Sequence, residues 1–378
     1  MSDSILAFVP LPKFEIWYKL SGKRSLLTFT LEATARCNNN CAHCYNNLPA
    51  GDSEAKRQEL TREEINRIAG EAVALGALSC LITGGEPLLR EDFSGIYLDL
   101  KRKGLLVSVF TNATLINEDH IELFKRYPPR DIEVSVYGVT EETYERVTRR
   151  RGSFAAFLRG LNLLLENHIK VRFKAMALRS NLHEMPLIAE FCRARTKDYF
   201  RFDPFLSLRY DGDPVRNEEI RAERLTADEV VDLERADPER FQQLSSECEN
   251  LTAPTCKDGL CNHLFHCGAG RHSFTLGWNG TLRLCSELWH PDCTYNLRRG
   301  SLKQAWEEFI PRVMDMRSVK EIFLEKCRGC PLVNFCMWCP ATAHLETGEL
   351  DLPVEFFCDL AHKRVNSLKL TLPNKTTT

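Results

Sequence analysis

The stretch LLTFTLEATARCNNNCAHCY, Leu26–Tyr45, decides the fold, because it joins a strand pattern to a loop of three cysteines. Apolar and hydroxyl side chains alternate over Leu26–Leu31, which is typical of a β-strand. Cys37, Cys41 and Cys44 follow within eight residues. Residues that follow a strand of a parallel sheet lie at its carboxyl end, where α/β folds gather their functional side chains. We therefore expect a metal-binding loop at that edge.

Strand and helix patterns continue to alternate through the first half of the chain. Thr61 and Glu64 form a capping box, and the helix pattern behind them stops at Gly76. Further helix patterns cover Phe93–Lys103, Glu118–Arg126, Phe154–Glu166 and His183–Arg195. The strand patterns read LSCLITGG, LLVSVFTN, IEVSVYG, KVRFKAMAL and YFRFDPFL. Six βα-type units in sequence predict an α/β fold with a parallel sheet, either open or a partial barrel.

Cysteine is the unusual feature of the composition, since 16 occur among 378 residues. The N-terminal stretch MSDSILAFVPLPKFEIWYKL has no basic region or small-residue cleavage site, which predicts a cytoplasmic protein. In a reducing compartment, such a cysteine count indicates metal or redox chemistry more than disulfides. A net charge of −2 gives no electrostatic case for a nucleic-acid partner, and no apolar run reaches membrane-spanning length.

The odd number of cysteines in the loop points to an open metal position. Three thiolates can bind three corners of a [4Fe–4S] cluster and leave the fourth iron without a protein ligand. A substrate or cofactor can coordinate such an iron. A structural zinc site, closed by His43 as the fourth ligand, is the alternative that the spacing leaves open.

The order of the motifs resembles the radical S-adenosylmethionine (SAM) superfamily over about Leu27–Leu206. The C-x3-C-x2-C loop follows the first strand, and Thr83-Gly84-Gly85-Glu86-Pro87 ends the second. FTNATL with Asn112 and EVSVYG with Ser135 come next in the family's order. The resemblance implies a partial (βα)6 TIM-like barrel that binds SAM at a [4Fe–4S] cluster. It also implies reductive cleavage of SAM to a 5′-deoxyadenosyl radical, which abstracts a hydrogen atom from the substrate.

The same resemblance implies roles for single residues. The backbone at Gly84 and Gly85 would approach SAM closely, and Glu86 would accept hydrogen bonds from its ammonium group. Ser135 would bind the ribose or the methionine part, and Arg146 would pair with the carboxylate. The residues implied to bind SAM are His43, Tyr45, Thr83, Gly84, Gly85, Glu86, Pro87, Asn112, Ser135 and Arg146. Taken singly, each has a plainer interpretation, such as a tight turn, a core hydroxyl or a surface charge.

The cysteines of the second half resemble the SPASM extension of radical SAM enzymes, over about Cys261–Cys358. In that family the extension carries auxiliary iron–sulfur clusters, which implies three [4Fe–4S] clusters in this chain. The family's interleaved pattern implies that Cys261, Cys267, Cys285 and Cys339 hold the first auxiliary cluster. It implies that Cys327, Cys330, Cys336 and Cys358 hold the second.

One gap departs from the family's pattern. Only Met337 and Trp338 lie between the last two cysteines of the run, where three residues are usual. The ligands of the first auxiliary cluster are therefore left open, and either Cys256 or Cys293 could replace Cys261. An open site that binds substrate is a further alternative, and a pair of zinc ribbons is another, since C-x2-C pairs are common there.

Changes of composition divide the chain into five predicted segments. They are an N-terminal segment (1–25), a radical SAM barrel (26–206), a helical linker (207–255), a SPASM domain (256–360) and a C-terminal helix or tail (361–378). The linker prediction rests on the high charge of Arg209–Asn250, which indicates exposed helices. Within the SPASM segment, SFTLGWNGTLRLC predicts a hairpin with Asn279 and Gly280 at its turn.

Among SPASM-type enzymes the chain most resembles maturases of ribosomally made peptides, notably over Val134–Leu165. The implied reaction is hydrogen abstraction from a precursor peptide, leading to a crosslink, thioether, epimerisation or oxidation. Sulfatase maturation and tetrapyrrole or small-molecule tailoring are the alternatives, with a non-catalytic zinc or iron–sulfur protein as a third class. Implied partners are a flavodoxin- or ferredoxin-type electron donor and, because few residues precede the first strand, a separate leader-peptide-recognition protein. Asp203, Tyr210 and Asp211 are candidates to face the substrate.

Overall fold

The computed structural model describes residues 23–198, 200–252, 262–332 and 335–368. Within these residues, six parallel strands lie side by side in the order in which they occur in the chain. They are β1 (Thr28–Thr34), β2 (Ser79–Gly84), β3 (Leu106–Thr111), β4 (Asp131–Val136), β5 (Val171–Met176) and β6 (Arg201–Asp203). The predicted α/β fold of six βα units is confirmed.

Five helices in the described part of this half begin and end close to where the sequence predicts, and the other two, the first and the fifth, were not predicted. In chain order the helices are α1 (Ser53–Gln58), α2 (Arg62–Ala74), α3 (Phe93–Arg102), α4 (Glu118–Arg126), α5 (Glu141–Thr148), α6 (Ser153–Glu166) and α7 (Met185–Arg193). The capping box of α2 is confirmed, since Thr61 and Glu64 each accept a hydrogen bond from the other's backbone N–H. The helix stops before Gly76, whose φ of 106° is one that glycine adopts without strain.

The second half of the chain adds strands to the same sheet. β7 (Ser273–Leu276) pairs in parallel with β1, on the side away from β2. The chain then turns at Gly280, which has a φ of 86°, into the antiparallel β8 (Thr281–Arg283). β8 pairs with β9 (Tyr295–Asn296). The predicted hairpin is confirmed, but it extends the barrel sheet, which was not predicted.

The remaining helices surround these strands. They are α8 (Pro214–Glu223), α9 (Ala227–Ala236), α10 (Pro238–Thr252), α11 (302–314), α12 (321–328), α13 (Pro340–Thr347) and α14 (Glu355–Ser367). α14 crosses the predicted boundary between residues 360 and 361, so this boundary does not separate structural elements. None of the helices in the described part of the chain is long and apolar enough to span a membrane.

The predicted linker is helical, but its predicted exposure is wrong. Val230 of α9 is completely buried, and α9 packs against α14. Glu234 of α9 forms a buried ion pair with Arg364 of α14, with 2.6 Å between Oε1 and Nη2. From the sequence alone, a buried charged residue cannot be distinguished from an exposed one, because its ion-pair partner is distant in the chain.

A second buried ion pair joins the two halves of the chain through the sheet. Glu32 lies on β1 and Arg283 on β8, with β7 between them. Their side chains are 4% and 0% exposed. The Arg283 guanidinium also stacks on the ring of Trp289, 3.5 Å from its centroid. Because both charges have lost their hydration, each depends on the other for compensation.

Removing one member of this pair should destabilise the protein strongly. We expect Arg283→Met to lower the free energy of unfolding by about 3–5 kcal/mol, because Glu32 then becomes an unpaired buried charge. Urea unfolding under anaerobic conditions measures the change. The control is Arg57→Met, which breaks an exposed pair with Glu54 and should change stability little. Equal effects of the two substitutions would contradict this role of the buried pair.

Candidate active site

A cavity of about 260 Å³, here called the barrel cavity, lies at the carboxyl ends of the parallel strands. The cysteine loop that follows β1 forms one side of it. The ends of the other five strands contribute Thr83, Thr111, Ser135, Met176 and Asp203 to its wall. This is the edge of the sheet at which parallel α/β folds place their sites.

The three cysteines of the loop lie together on this wall. Burial, the nearby Glu86 carboxylate and Cys44 raise the pKa of Cys37 to about 12. Burial and the charges of Cys44 and Cys37 raise the pKa of Cys41 as well. Buried sulfurs that repel one another as thiolates need a metal centre to hold them in that form.

Two N–H groups approach the sulfur of Cys37. The backbone N of Asn39 lies 3.4 Å from Sγ, and Nδ2 of Asn112 lies 3.8 Å from it. The Asn112 amide is fixed by donating to Asn38 Oδ1 at 2.9 Å and by accepting from the Thr114 hydroxyl at 2.7 Å. Donors to a cysteine sulfur stabilise the thiolate and tune iron–sulfur clusters. The surroundings of Cys37 therefore fit a cluster ligand.

His43, the candidate fourth zinc ligand, lies on the cavity wall as a neutral ring. Its ring centroid is 5.1 Å from that of Tyr137. Burial, with the charges of Lys174 and Arg216, lowers the pKa of His43 to about 3. Its Nδ1 atom is buried and has no hydrogen-bond partner among the described residues.

The two glycines after β2 are required by a close backbone approach. A Cβ atom on Gly84 would overlap the carbonyl oxygen of Thr34, and one on Gly85 would overlap that of Arg36, both closer than the 3.0 Å that real Cβ atoms keep. The Gly85 N–H donates to the Thr34 carbonyl at 2.7 Å. Both glycines also line the barrel cavity. The sequence assigned them to contact with SAM, whereas the structure shows that they also contact the segment leading into the cysteine loop.

Glu86 makes contacts within the chain that the sequence did not predict. Its carboxylate is completely buried and is not part of the cavity wall. It accepts hydrogen bonds from the Thr111 hydroxyl and the Asn112 N–H, both at 2.8 Å, and from the Leu88 N–H at 3.1 Å. Burial raises its pKa to about 7. The side chain thus joins the ends of β2 and β3, and the contact of Glu86 and its neighbouring backbone with SAM stays a prediction.

The other predicted SAM-binding residues divide into two groups. Tyr45, Thr83, Asn112 and Ser135 line the barrel cavity, so their contacts with SAM stay predictions. Pro87 instead begins a buried 3₁₀ turn.

Arg146 lies away from the cavity wall. It is a half-exposed residue of α5 that forms an ion pair with Glu142, one helical turn earlier. Its side chain therefore has a partner on the helix surface, and its pairing with the SAM carboxylate stays a prediction.

Sequence reasoning missed three charged residues of the cavity wall, namely Glu133, Lys174 and Glu287. Lys174 Nζ lies 3.9 Å from the Asp203 carboxylate. Strand alternation could have identified the first two. Glu133 lies on the same face of β4 as Ser135, and Lys174 lies on the same face of β5 as Met176, the last residue of that strand. Glu287 carried no such signal, because it follows β8 in the other half of the chain.

The three candidates beyond β6 do not behave alike. Asp203 lines the barrel cavity. Asp211 instead forms an ion pair with the buried Arg209, and Tyr210 stacks on Trp289 with ring centroids 4.0 Å apart. Only Asp203 of the three is therefore placed to face a substrate.

The cysteines proposed for the second auxiliary cluster surround a small cavity of about 70 Å³, here called the C-terminal cavity. Its wall includes Cys327, Cys330, Cys336 and Cys358. Burial, followed by the charges of Cys358 and Cys330, raises the pKa of Cys327 to about 11. Like the barrel loop, this is a group of buried and partly buried sulfurs that would repel one another as thiolates.

Three of the cysteines proposed for the first auxiliary cluster also lie near one another. Cys267 and Cys339 line a larger cavity of about 510 Å³, here called the chamber. Burial raises the pKa of Cys285 to about 12, with contributions from Glu287 and then from these two sulfurs.

Of the alternatives for the fourth ligand of the first auxiliary cluster, only Cys293 lies in the described part of the chain. Cys261 and Cys256 lie outside the described residues. Cys293, the other alternative, is buried with its Sγ 3.7 Å from Met316 Sδ.

Comparison with known families agrees with this geometry. Residues 31–192 match the radical SAM superfamily. The matched segment runs from β1 into α7 and contains the cysteine loop and the glycine turn. The chain therefore contains a radical SAM domain over residues 31–192, the domain that binds SAM and a [4Fe–4S] cluster in radical SAM enzymes.

The similar proteins differ in what they make. The chain is 24% identical to Fe-coproporphyrin III synthase of Methanosarcina barkeri, over 80% of each protein. It is 26% identical to AlbA, an antilisterial bacteriocin subtilosin biosynthesis protein of Bacillus subtilis, over 82% of this chain and 66% of AlbA. Streptococcus suis SuiB bound to its precursor peptide SuiA superposes with a TM-score of 0.68 at 16% identity, covering 90% of this chain and 78% of SuiB. At that identity the likeness to SuiB shows the fold alone.

Replacing one cysteine of the loop should remove iron from the protein. We expect Cys37→Ala to lose about four irons per chain, because three loop thiolates hold one [4Fe–4S] cluster. Iron and acid-labile sulfide, measured on anaerobically reconstituted protein, report the loss. Cys80→Ala is the control, since Cys80 is buried inside β2 away from the cavity. Unchanged iron in the Cys37 variant would contradict the assignment of the loop.

The glycine turn should tolerate no side chain. We expect Gly85→Ala to weaken SAM binding at least tenfold and to lower stability by about 1–3 kcal/mol, because the added Cβ pushes β2 away from the cysteine loop. Calorimetric titration with SAM and thermal unfolding measure the two effects. Gly51→Ala is the matched control, since nothing lies within 4 Å of its added Cβ. Normal SAM binding by the Gly85→Ala variant would contradict the close approach.

Proposed function

We propose that this radical SAM enzyme modifies a peptide by abstracting a hydrogen atom from one of its residues. The observation that supports this function is that the barrel cavity and the chamber adjoin. Their walls share Asp203, Phe205, Leu206, Ser207 and Glu287. A substrate that occupies the chamber can therefore extend one end into the barrel cavity, where the radical forms.

The chamber is large enough to hold part of a substrate beside the first auxiliary cluster, whose proposed ligands Cys267 and Cys339 lie in its wall. Its volume of about 510 Å³ lies within the range of about 300–1,000 Å³ found for organic-ligand pockets. Several aromatic or aliphatic side chains line it, among them Phe205, Leu264, Phe265, Trp338 and Phe357. A short run of peptide with apolar side chains would bury its surface against this wall.

The junction between the two cavities is acidic. Asp203 and Glu287 lie on it, and Glu133 is nearby on the barrel wall. Lys174 offers one positive charge, 3.9 Å from Asp203. Burial raises the pKa of Glu287, although Ser207 donates a hydrogen bond to it. A peptide can offer backbone N–H donors to these carboxylates, which makes charge-assisted hydrogen bonds.

The same acidity disfavours a tetrapyrrole, which is the second candidate substrate. The likeness to Fe-coproporphyrin III synthase supports that candidate. Coproporphyrin carries propionate carboxylates, however, and a third carboxylate beside Asp203 and Glu287 would be repelled. Arg328 in the chamber wall compensates this repulsion poorly, because its guanidinium already donates a hydrogen bond to the Leu264 carbonyl at 3.0 Å.

The proposal assigns three [4Fe–4S] clusters to the chain. Cys37, Cys41 and Cys44 would hold the first, which would bind SAM and supply the electron for its reductive cleavage. The first auxiliary cluster takes Cys261, Cys267, Cys285 and Cys339. The second takes Cys327, Cys330, Cys336 and Cys358. A flavodoxin- or ferredoxin-type protein is the proposed electron donor, and a separate protein is proposed to recognise the leader of the precursor peptide.

The chain's own residues position the reactants. Asn39 and Asn112 direct N–H groups at Cys37, which stabilises its thiolate form. The neutral ring of His43 forms part of the wall and excludes water from it. Asp203 and Glu287 would hold the peptide backbone where the cavities meet, so that the reacting C–H bond faces the radical.

A direct comparison of substrates tests the function. Anaerobic holoenzyme with SAM and dithionite is incubated separately with Fe-coproporphyrin III and with synthetic peptides encoded by short reading frames beside its gene. We expect a peptide to stimulate 5′-deoxyadenosine formation and to change in mass or, in D₂O, to take up deuterium. Conversion of Fe-coproporphyrin III with no change in any peptide would refute the proposal.

The two candidate substrates predict opposite effects of one substitution. We expect Glu287→Gln to raise the KM for the peptide about tenfold, because a charge-assisted hydrogen bond worth about 1.5–3 kcal/mol is weakened. The same change should tighten binding of a propionate-bearing tetrapyrrole, because one repelling charge is lost. Steady-state kinetics and Fe-coproporphyrin III titration separate the two. Glu54→Gln, on the exposed face of α1, is the control and should change neither.

A further inference from the structure

The two-residue gap between Cys336 and Cys339 lies between two cavities. Cys336 lines the C-terminal cavity, whereas Cys339 lines the chamber, so the chain passes from one cysteine site to the other within three residues. Trp338 contributes to the walls of both cavities. Met337 lines the chamber. The two residues of the gap thus form the partition between the sites.

Trp338 is the fixed part of this partition. Its indole N–H donates to the Leu352 carbonyl at 2.8 Å. Its ring packs against Phe323 with centroids 5.1 Å apart, and the Arg328 guanidinium carbon lies 6.0 Å from its centre. An indole with its donor satisfied and its ring packed presents one constant surface to the chamber.

Met337 is held differently and at a cost. Its φ is +56°, a left-handed backbone conformation that disfavours residues with a Cβ. Its side chain gains little burial in exchange, since the residue is 56% exposed. Glycine would adopt this conformation without strain. The stability of the described structure therefore does not explain a methionine here, and strain of this kind is typical of functional sites.

We propose that Met337 is a specificity-determining residue that contacts an apolar side chain of the peptide substrate, against the fixed surface of Trp338. The inference rests on the proposed peptide-modifying function and deepens it. The thioether is flexible and polarisable, so it adapts to aromatic and branched side chains alike. The surface is continuous with the barrel cavity through Phe205 and Leu206, which line both cavities. The substrate residue that enters here therefore lies next to the one that reacts.

The test separates substrate contact from stability. Met337→Gly removes the side chain and relieves the strain, whereas Met337→Leu keeps an apolar side chain of similar volume. His168→Gly is the matched control, because His168 has nearly the same φ, 57°, and is exposed on a loop that lines neither cavity. Anaerobic holoenzyme with SAM is titrated with N-acetyl-phenylalanine methylamide as the apolar probe and N-acetyl-aspartate methylamide as the polar one.

We expect both glycine variants to keep or raise the thermal unfolding midpoint. Only Met337→Gly should weaken binding of the phenylalanine probe, about fivefold or more, because apolar contact area is lost. Met337→Leu should bind it within about threefold of the parent protein, since the volume is conserved. The aspartate probe should bind weakly to every variant.

Three results would overturn the inference. Normal binding of the phenylalanine probe by Met337→Gly would show that the side chain makes no substrate contact. A lowered unfolding midpoint in Met337→Gly, but not in His168→Gly, would show that the methionine packs against the chain itself. Failure of the parent protein to bind the phenylalanine probe, with conversion of Fe-coproporphyrin III, would remove the proposed function and the inference together.

Discussion

The site depends on one close approach between two backbone segments. The turn after β2 can contact the segment after β1 only because Gly84 and Gly85 have no side chains. The N–H groups of Gly85 and Glu86 then donate to the carbonyls of Thr34 and Arg36 at 2.7 and 2.9 Å. These bonds fix the point from which the cysteine loop begins, so the sheet itself positions the sulfurs.

Further contacts connect this backbone approach to the strands on both sides of β1. The Glu86 carboxylate accepts from the Asn112 N–H at the end of β3, and the Asn112 side chain in turn approaches the sulfur of Cys37. On the other side of β1, β7 and β8 carry the chain to Cys285. One sheet thus fixes the positions of both the barrel loop and the chamber, and Glu287 lines both cavities.

Local patterns predicted the elements well, because periodicity, caps and turn residues act over a few positions. The position of β7 was not predictable, since pairing of Thr28–Leu31 with Ser273–Leu276 leaves no local signal. A motif also fixes a residue's place in the chain but not the direction of its side chain. The motif therefore did not indicate that the Glu86 side chain turns towards β3, or that Arg146 pairs with Glu142 on the helix surface. The buried charges of α9 were missed for a related reason, because only the fold brings Arg364 to Glu234.

The barrel cavity is the place where SAM would be cleaved at an iron–sulfur cluster. The most direct measurement is iron and sulfide per chain of the anaerobically reconstituted protein, together with 5′-deoxyadenosine formed from SAM under reduction. We expect about twelve irons and deoxyadenosine formation, since one barrel cluster and the two proposed auxiliary clusters hold four irons each. Zinc in place of iron, with intact SAM after reduction, would contradict this role of the cavity.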